Sequence, residues 1–75
     1  MKNILITGAN RGIGLMFAQS FADIANTVYA TARDLNNCDE LKMIKNIEIL
    51  ELDLLDKISI KSFCAEVKDI PFDLI

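Results

Sequence analysis

Thr7-Gly8-Ala9-Asn10-Arg11-Gly12-Ile13-Gly14 follows the short apolar run Ile4-Leu5-Ile6, at the point where a strand has to turn into a helix. A helix start leaves its first backbone N–H groups without carbonyl partners and carries a partial positive charge. A glycine-rich turn placed there is therefore predicted to cradle a phosphate on bare backbone. Gly8 is expected to take the positive φ of a tight turn, Gly12 to leave room for a ligand, and Gly14 to let the helix pack closely on the strand. Glycines at relative positions 0, 4 and 6 fit neither G-x-G-x-x-G nor the P-loop, which ends in Gly-Lys-Ser/Thr. The pattern is T-G-x-x-x-G-I-G.

On either side of this turn the hydrophobic periodicity switches between strand and helix. Residues 2–7 read as a buried strand, and residues 12–25 as a helix whose Ile13, Phe17, Phe21 and Ile24 recur at helical spacing. Asn26, which tolerates the left-handed conformation, is expected to close that helix. Residues 27–32 form a second strand and 34–37 a turn. A short helix over 39–45 stops at Asn46, and the alternation over 47–52 makes a third strand with one mildly acidic face. Asp56 is placed to cap a helix over 57–68, with Ile60, Phe63, Cys64 and Val67 as its apolar stripe. Ile70-Pro71 ends it, and residues 72–75 open a fourth strand. Strands alternating with helices imply right-handed β-α-β crossovers and a parallel sheet, the α/β class.

Composition bounds the function. The chain has 75 residues, 52% of them apolar, which fits at most one domain, and no segment approaches the ~20 apolar residues that a bilayer span needs. Met1-Lys2-Asn3 precedes only three strongly apolar residues, too few for the apolar core of a signal peptide, so the expected location is the cytoplasm. The net charge of −3 and singly scattered lysines argue against nucleic acid as a partner. Cys38 and Cys64 have no metal-ligand or C-x-x-C spacing and there is no histidine, so no metal site is expected and both thiols read as buried.

The stretch from Ile6 to Leu15 resembles the short-chain dehydrogenase/reductase family, especially its carbonyl-reductase and C-factor-like members. That resemblance implies a Rossmann-type doubly wound sheet with strand order 3-2-1-4 and the first two helices on one face, the third on the other. Thr7, Arg33 and Asp53 fall at or just past strand ends, which brings their loops to one edge, where such sheets bind ligand. The cofactor implied is a nicotinamide dinucleotide held by Gly8, Asn10, Arg11, Gly12, Ile13 and Gly14, with Asn10 steadying the loop.

NADP rather than NAD is the expected form. An NAD enzyme places an acid near the end of the second strand to bind the ribose hydroxyls, whereas this chain has Ala32 followed by Arg33. Arg11 and Arg33 are the only arginines among eight cationic residues, and the guanidinium fork suits the 2′-phosphate of NADP. The competing reading of each is a solvated loop residue. By resemblance Asp53 accepts from the adenine amine while the Leu54 N–H meets a ring nitrogen. The competing reading of Asp53 is a turn residue.

The catalytic residues of the family, a Tyr with its Lys, a Ser and an Asn, have no counterpart here. Tyr29 and Arg33 mimic Tyr-x-x-x-Lys only superficially, because Tyr29 lies in a predicted strand and the family's pair on a helix. Ser20, Ser59 and Ser62 read as helix-surface residues. The chain is therefore expected to be residues 1–75 of an incomplete cofactor-binding domain, the N-terminal part of a reductase that transfers hydride to or from a carbonyl or alcohol substrate. A small-molecule substrate and any homo-oligomer would belong to the full-length chain. A degenerate nucleotide-binding module and an interaction scaffold are the alternatives.

Overall fold

The computed structural model describes residues 2–73 and 75. Three parallel strands, β1 (Asn3–Ile6), β2 (Thr27–Ala32) and β3 (Ile47–Glu51), lie in the order β1-β2-β3. They are joined by α1 (Gly12–Phe21) and, after a 3-10 turn at Leu35–Asn37, by α2 (Asp39–Lys42). Helix α3 (Lys57–Val67) follows β3. Asn3 pairs with Thr27 and Ile6 with Ala30, while Val28 pairs with Ile47 and Ala32 with Glu51. This is the open α/β sheet expected of a Rossmann-type fold.

Strand side chains alternate between two separate cores. Ile4, Val28, Ala30 and Ala32 pack with Leu15, Ala18, Ala22, Cys38 and Leu41 from the α1 and α2 side. Leu5 and Leu52 pack with Phe63 of α3, flanked by Tyr29, Leu50, Ile60 and Val67. The first two helices therefore cover one face and α3 the other. Both faces of β2 are buried, as a parallel sheet requires.

The face that α1 buries differs from the expected stripe. Ile13, Phe17 and Ile24 are 71%, 51% and 58% exposed, whereas Leu15, Ala18, Ala22 and Ala25 are buried. Alanines bring the helix axis close to the sheet, and the bulky residues are left on the outside. The helix also stops at Phe21 rather than at residue 25, although Ala25 N–H still donates to Phe21 O (2.9 Å). Asn26 is not left-handed; the one positive-φ residue other than glycine among those described is Asn46, at φ 61, which ends the α2 turn.

Other boundaries moved as well. Helix α2 ends at Lys42, three residues short of the expected end, and β3 ends at Glu51. Glu48 and Glu51 pair with Tyr29 and Ala32, which point to opposite faces, so β3 has no single acidic face. The doubled apolar pair Ile49-Leu50 breaks the alternation that the expectation assumed. Cys64 is exposed and belongs to no stripe, while Cys38 is buried. Asp56 does cap α3, accepting from Ile58 N–H (2.9 Å) and Ser59 N–H (3.4 Å).

Of the expected fourth strand, Leu74 lies outside the described residues, and Phe72 and Asp73 are not strand. Asp73 nevertheless runs beside the outer edge of β1, its N–H donating to Asn3 O (2.8 Å). One such bond is too little for a ladder.

Candidate functional site: a cleft at the carboxyl ends of the strands

Parallel strands direct all their carboxyl ends to the same rim, so the loops leaving β1, β2 and β3 meet there. They enclose a cleft of about 710 Å³. All the residues singled out from the sequence line it: Gly8, Asn10, Arg11, Gly12, Ile13 and Gly14 from the first loop, Arg33 from the second, Asp53 and Leu54 from the third. Thr7, Thr31, Asn37, Leu52 and Leu55 complete the lining.

The first loop is shaped by its glycines. Gly8 and Gly12 sit at φ 61 and φ 62, so Gly12 serves the backbone turn and not merely open space above it. Gly14 is needed for proximity, because a Cβ there would overlap the carbonyl oxygen of Gly8. Arg11 is extended, with φ −162 and ψ 169, and starts α1 without a side-chain cap. No acidic residue sits in the first turn, and the first helical bond is Leu15 N–H to Arg11 O at 3.3 Å. The amides of Gly12, Ile13 and Gly14 thus precede the helical ladder at the positive end of the α1 dipole, an arrangement suited to an anion.

Side chains tie this loop to its neighbours. Gly8 N–H donates to Thr31 Oγ1 (3.2 Å), Ala9 N–H donates to Thr31 O (2.9 Å), and Asn10 Nδ2 donates to Asn37 O (3.2 Å). The third loop is held similarly: Asp53 Oδ1 accepts from Leu55 N–H (3.0 Å), and Asp53 N–H donates to Ser59 Oγ (2.9 Å). Asp53 therefore forms a side-chain-to-backbone turn and faces the cleft at the same time. Ser59 is not the helix-surface residue expected; it supports Asp53 from the first turn of α3. Thr31 and Ser59 were missed because each acts on a residue that only folding brings near. Their hydroxyls carry no local pattern to mark them.

The nucleophilic groups nearby are inert. Cys38 is buried and its Sγ donates to Asp34 O (3.4 Å). Burial pushes the thiol up, Asp34 and Asp39 push the same way and Lys42 opposes, so it stays protonated at neutral pH. Tyr29 packs edge-on against Phe72, ring centroids 5.4 Å apart, on the α3 side of β2. It is a half-buried aromatic packed against the core on that side. Among the described residues no cluster of His, Cys, Asp or Glu is arranged to hold a metal, and no helix is long and apolar enough to cross a membrane.

No protein-family model matches the chain. It is 36% identical over 74 residues to the 3-amino-tetrahydro-pyrrolizinone reductase of Xenorhabdus hominickii, covering 93% of this chain and 25% of that protein. The crystal structure of the carbonyl reductase Sniffer of Caenorhabditis elegans superposes with a TM-score of 0.82 at 35% identity, over 91% of this chain and 31% of that one. The chain belongs to the short-chain dehydrogenase/reductase family. Pseudomonas aeruginosa RhlG, solved as an NADP active-site complex, matches with a TM-score of 0.79 at 27% identity over 97% of this chain and 31% of that one. Among short-chain reductases, then, this chain spans about a quarter to a third of the length of the relatives it matches.

Proposed function

We propose that these residues form the cofactor-binding part, residues 1–75, of an NADP-dependent cytoplasmic short-chain oxidoreductase that moves hydride between nicotinamide and a carbonyl or alcohol carbon. The observation that carries this reading is the placement of Arg11 and Arg33 on the same cleft as the free amides at the start of α1, with buried Ala32 where an acid would repel a 2′-phosphate. The helix start and glycine turn would take the pyrophosphate, the two guanidiniums the 2′-phosphate, and Asp53 with Leu54 N–H the adenine. When bound, the nicotinamide would supply hydride to a carbonyl in its reduced form and accept it from an alcohol in its oxidised form. The residues of this chain bind and orient the cofactor, and the substrate and proton transfers are assigned to the rest of the reductase. The RhlG complex with NADP, one of the neighbours, supports the choice of cofactor.

Titrating the full-length protein and its Arg33→Ala variant with NADP and NAD tests this. A charge-assisted hydrogen bond is worth about 1.5–3 kcal/mol, so the variant should lose roughly 10- to 100-fold in NADP affinity and almost nothing for NAD. Equal losses for both cofactors would refute the assignment. A second reading is a nucleotide-binding module without chemistry of its own, in which the same cleft holds the cofactor and Tyr29, packed edge-on against Phe72, serves only the fold. Cofactor binding without turnover in the full-length protein would favour it.

A further inference from the structure

Thr31 is 1% exposed and is the one buried polar residue among those described, in a strand whose other fully buried positions are Val28, Ala30 and Ala32. A hydroxyl there is not needed for packing, since valine has the same shape and is a better apolar strand former. Its partners explain it. The Gly8 amide donates to the side chain and the Ala9 amide to the carbonyl of the same residue, so one residue of β2 captures both amides that enter the turn, 23 and 22 positions away in sequence. Between them lies the peptide that carries Gly8 at φ 61 and sets the carbonyl against which Gly14 rests without a Cβ.

We propose that Thr31 is the positioning residue of the phosphate cradle. By engaging Gly8 and Ala9 it commits those amides to β2. The donors presented to an anion are then the later ones, at Gly12, Ile13 and Gly14, whose placement follows from the held turn. The inference rests on the cofactor-binding reading of the cleft for its effect on affinity, but not for its effect on the backbone. A residue acting this way touches the phosphates through the turn and belongs to neither the adenine nor the 2′-phosphate end. Its loss should therefore weaken NADP and NAD alike, in contrast to the loss of Arg33.

The test compares the full-length protein with its Thr31→Val variant, which keeps shape and removes the side-chain acceptor, and its Thr31→Ser variant, which keeps the acceptor. Amide hydrogen exchange by NMR and titrations with NADP, NAD and inorganic pyrophosphate are the readouts. In Thr31→Val the Gly8 amide should exchange about tenfold faster while Tyr29 and Ala30 in the strand keep their protection, and affinity for all three ligands should fall by a similar factor. Thr31→Ser should restore both. Wild-type-like exchange at Gly8 in Thr31→Val, failure of serine to restore it, or a wild-type Gly8 amide with no protection would each overturn the proposal. If protection follows the prediction but no variant, wild type included, binds any of the three ligands, the positioning role stands and the cofactor reading falls.

Discussion

Asp73 clamps Asn3 from 70 residues away: its carboxylate Oδ2 accepts from Asn3 N–H (3.0 Å) and Lys2 N–H (2.8 Å), while its own N–H donates to Asn3 O (2.8 Å). The outer edge of β1 is thereby occupied at its amino end. Those backbone donors, Asn3 first and Lys2 second, hold the Asp73 carboxyl below the usual carboxylate range. A group whose pKa is lowered by folding stabilises the fold fully above its unfolded value, and that contribution disappears as pH falls through the folded value. The Asp73→Asn variant should therefore melt at lower temperature than wild type near neutral pH, and the two should converge below the carboxylate range. Parallel pH dependence of the two melting curves would show that the clamp contributes nothing.

Gly14 is intolerant of any side chain. A Cβ at that position meets the Gly8 carbonyl, which is backbone and cannot rotate away. Gly14→Ala should cost about 1–3 kcal/mol, the usual range for forcing an extra carbon into a packed site, and should displace the Gly8 and Ala9 amide resonances. Denaturant unfolding measures the first and an NMR spectrum the second. A variant of wild-type stability would mean that the start of α1 does not bear on the turn.

Asp53 has two duties that a substitution can separate. Asparagine retains an oxygen for the Leu55 amide but loses the charge that would accept from adenine, a group common to NAD and NADP. Asp53→Asn should weaken both cofactors to a similar extent and leave the melting temperature near that of wild type. Unchanged affinity with lowered stability would make Asp53 a turn residue alone.

The isolated 75-residue chain should self-associate and show no NADPH oxidation. Ile13 and Phe17, exposed on α1, line an apolar cleft of about 490 Å³ together with Ile4, Leu5 and Ile6 of β1. An open strand edge next to exposed apolar side chains invites pairing with another chain. A chain this short buries only roughly 60–65% of its surface, which leaves little stability in reserve. Size-exclusion chromatography should give a species larger than a monomer, and Phe17→Lys should shift it toward the monomer. A sharp monomer with cooperative unfolding, unaffected by Phe17→Lys, would show that the exposed face of α1 is benign.

Much of this molecule was legible along the chain. The turn at residues 7–14, the alternation of apolar runs and the cap at Asp56 are local features, in which backbone conformation and hydrogen bonding are dictated by residues a few positions apart. They determined the order of elements, the parallel sheet, the family and the rim at which Arg33 and Asp53 would meet the glycine loop. Tertiary structure alone decided which side of α1 faces inward. Hydrophobicity favoured Ile13 and Phe17, but contact at Gly14 and the small side chains of Ala18 and Ala22 draw the helix onto the sheet along its narrow face. The same holds for Thr31 and Ser59, ordinary polar residues by sequence: Gly8 becomes a neighbour of Thr31 only when β1 and β2 align, and Asp53 meets Ser59 only through the turn that joins β3 to α3. Helix and turn signals are short-range. Burial and long-range hydrogen bonds depend on how closely packed elements approach, and no local pattern records that distance.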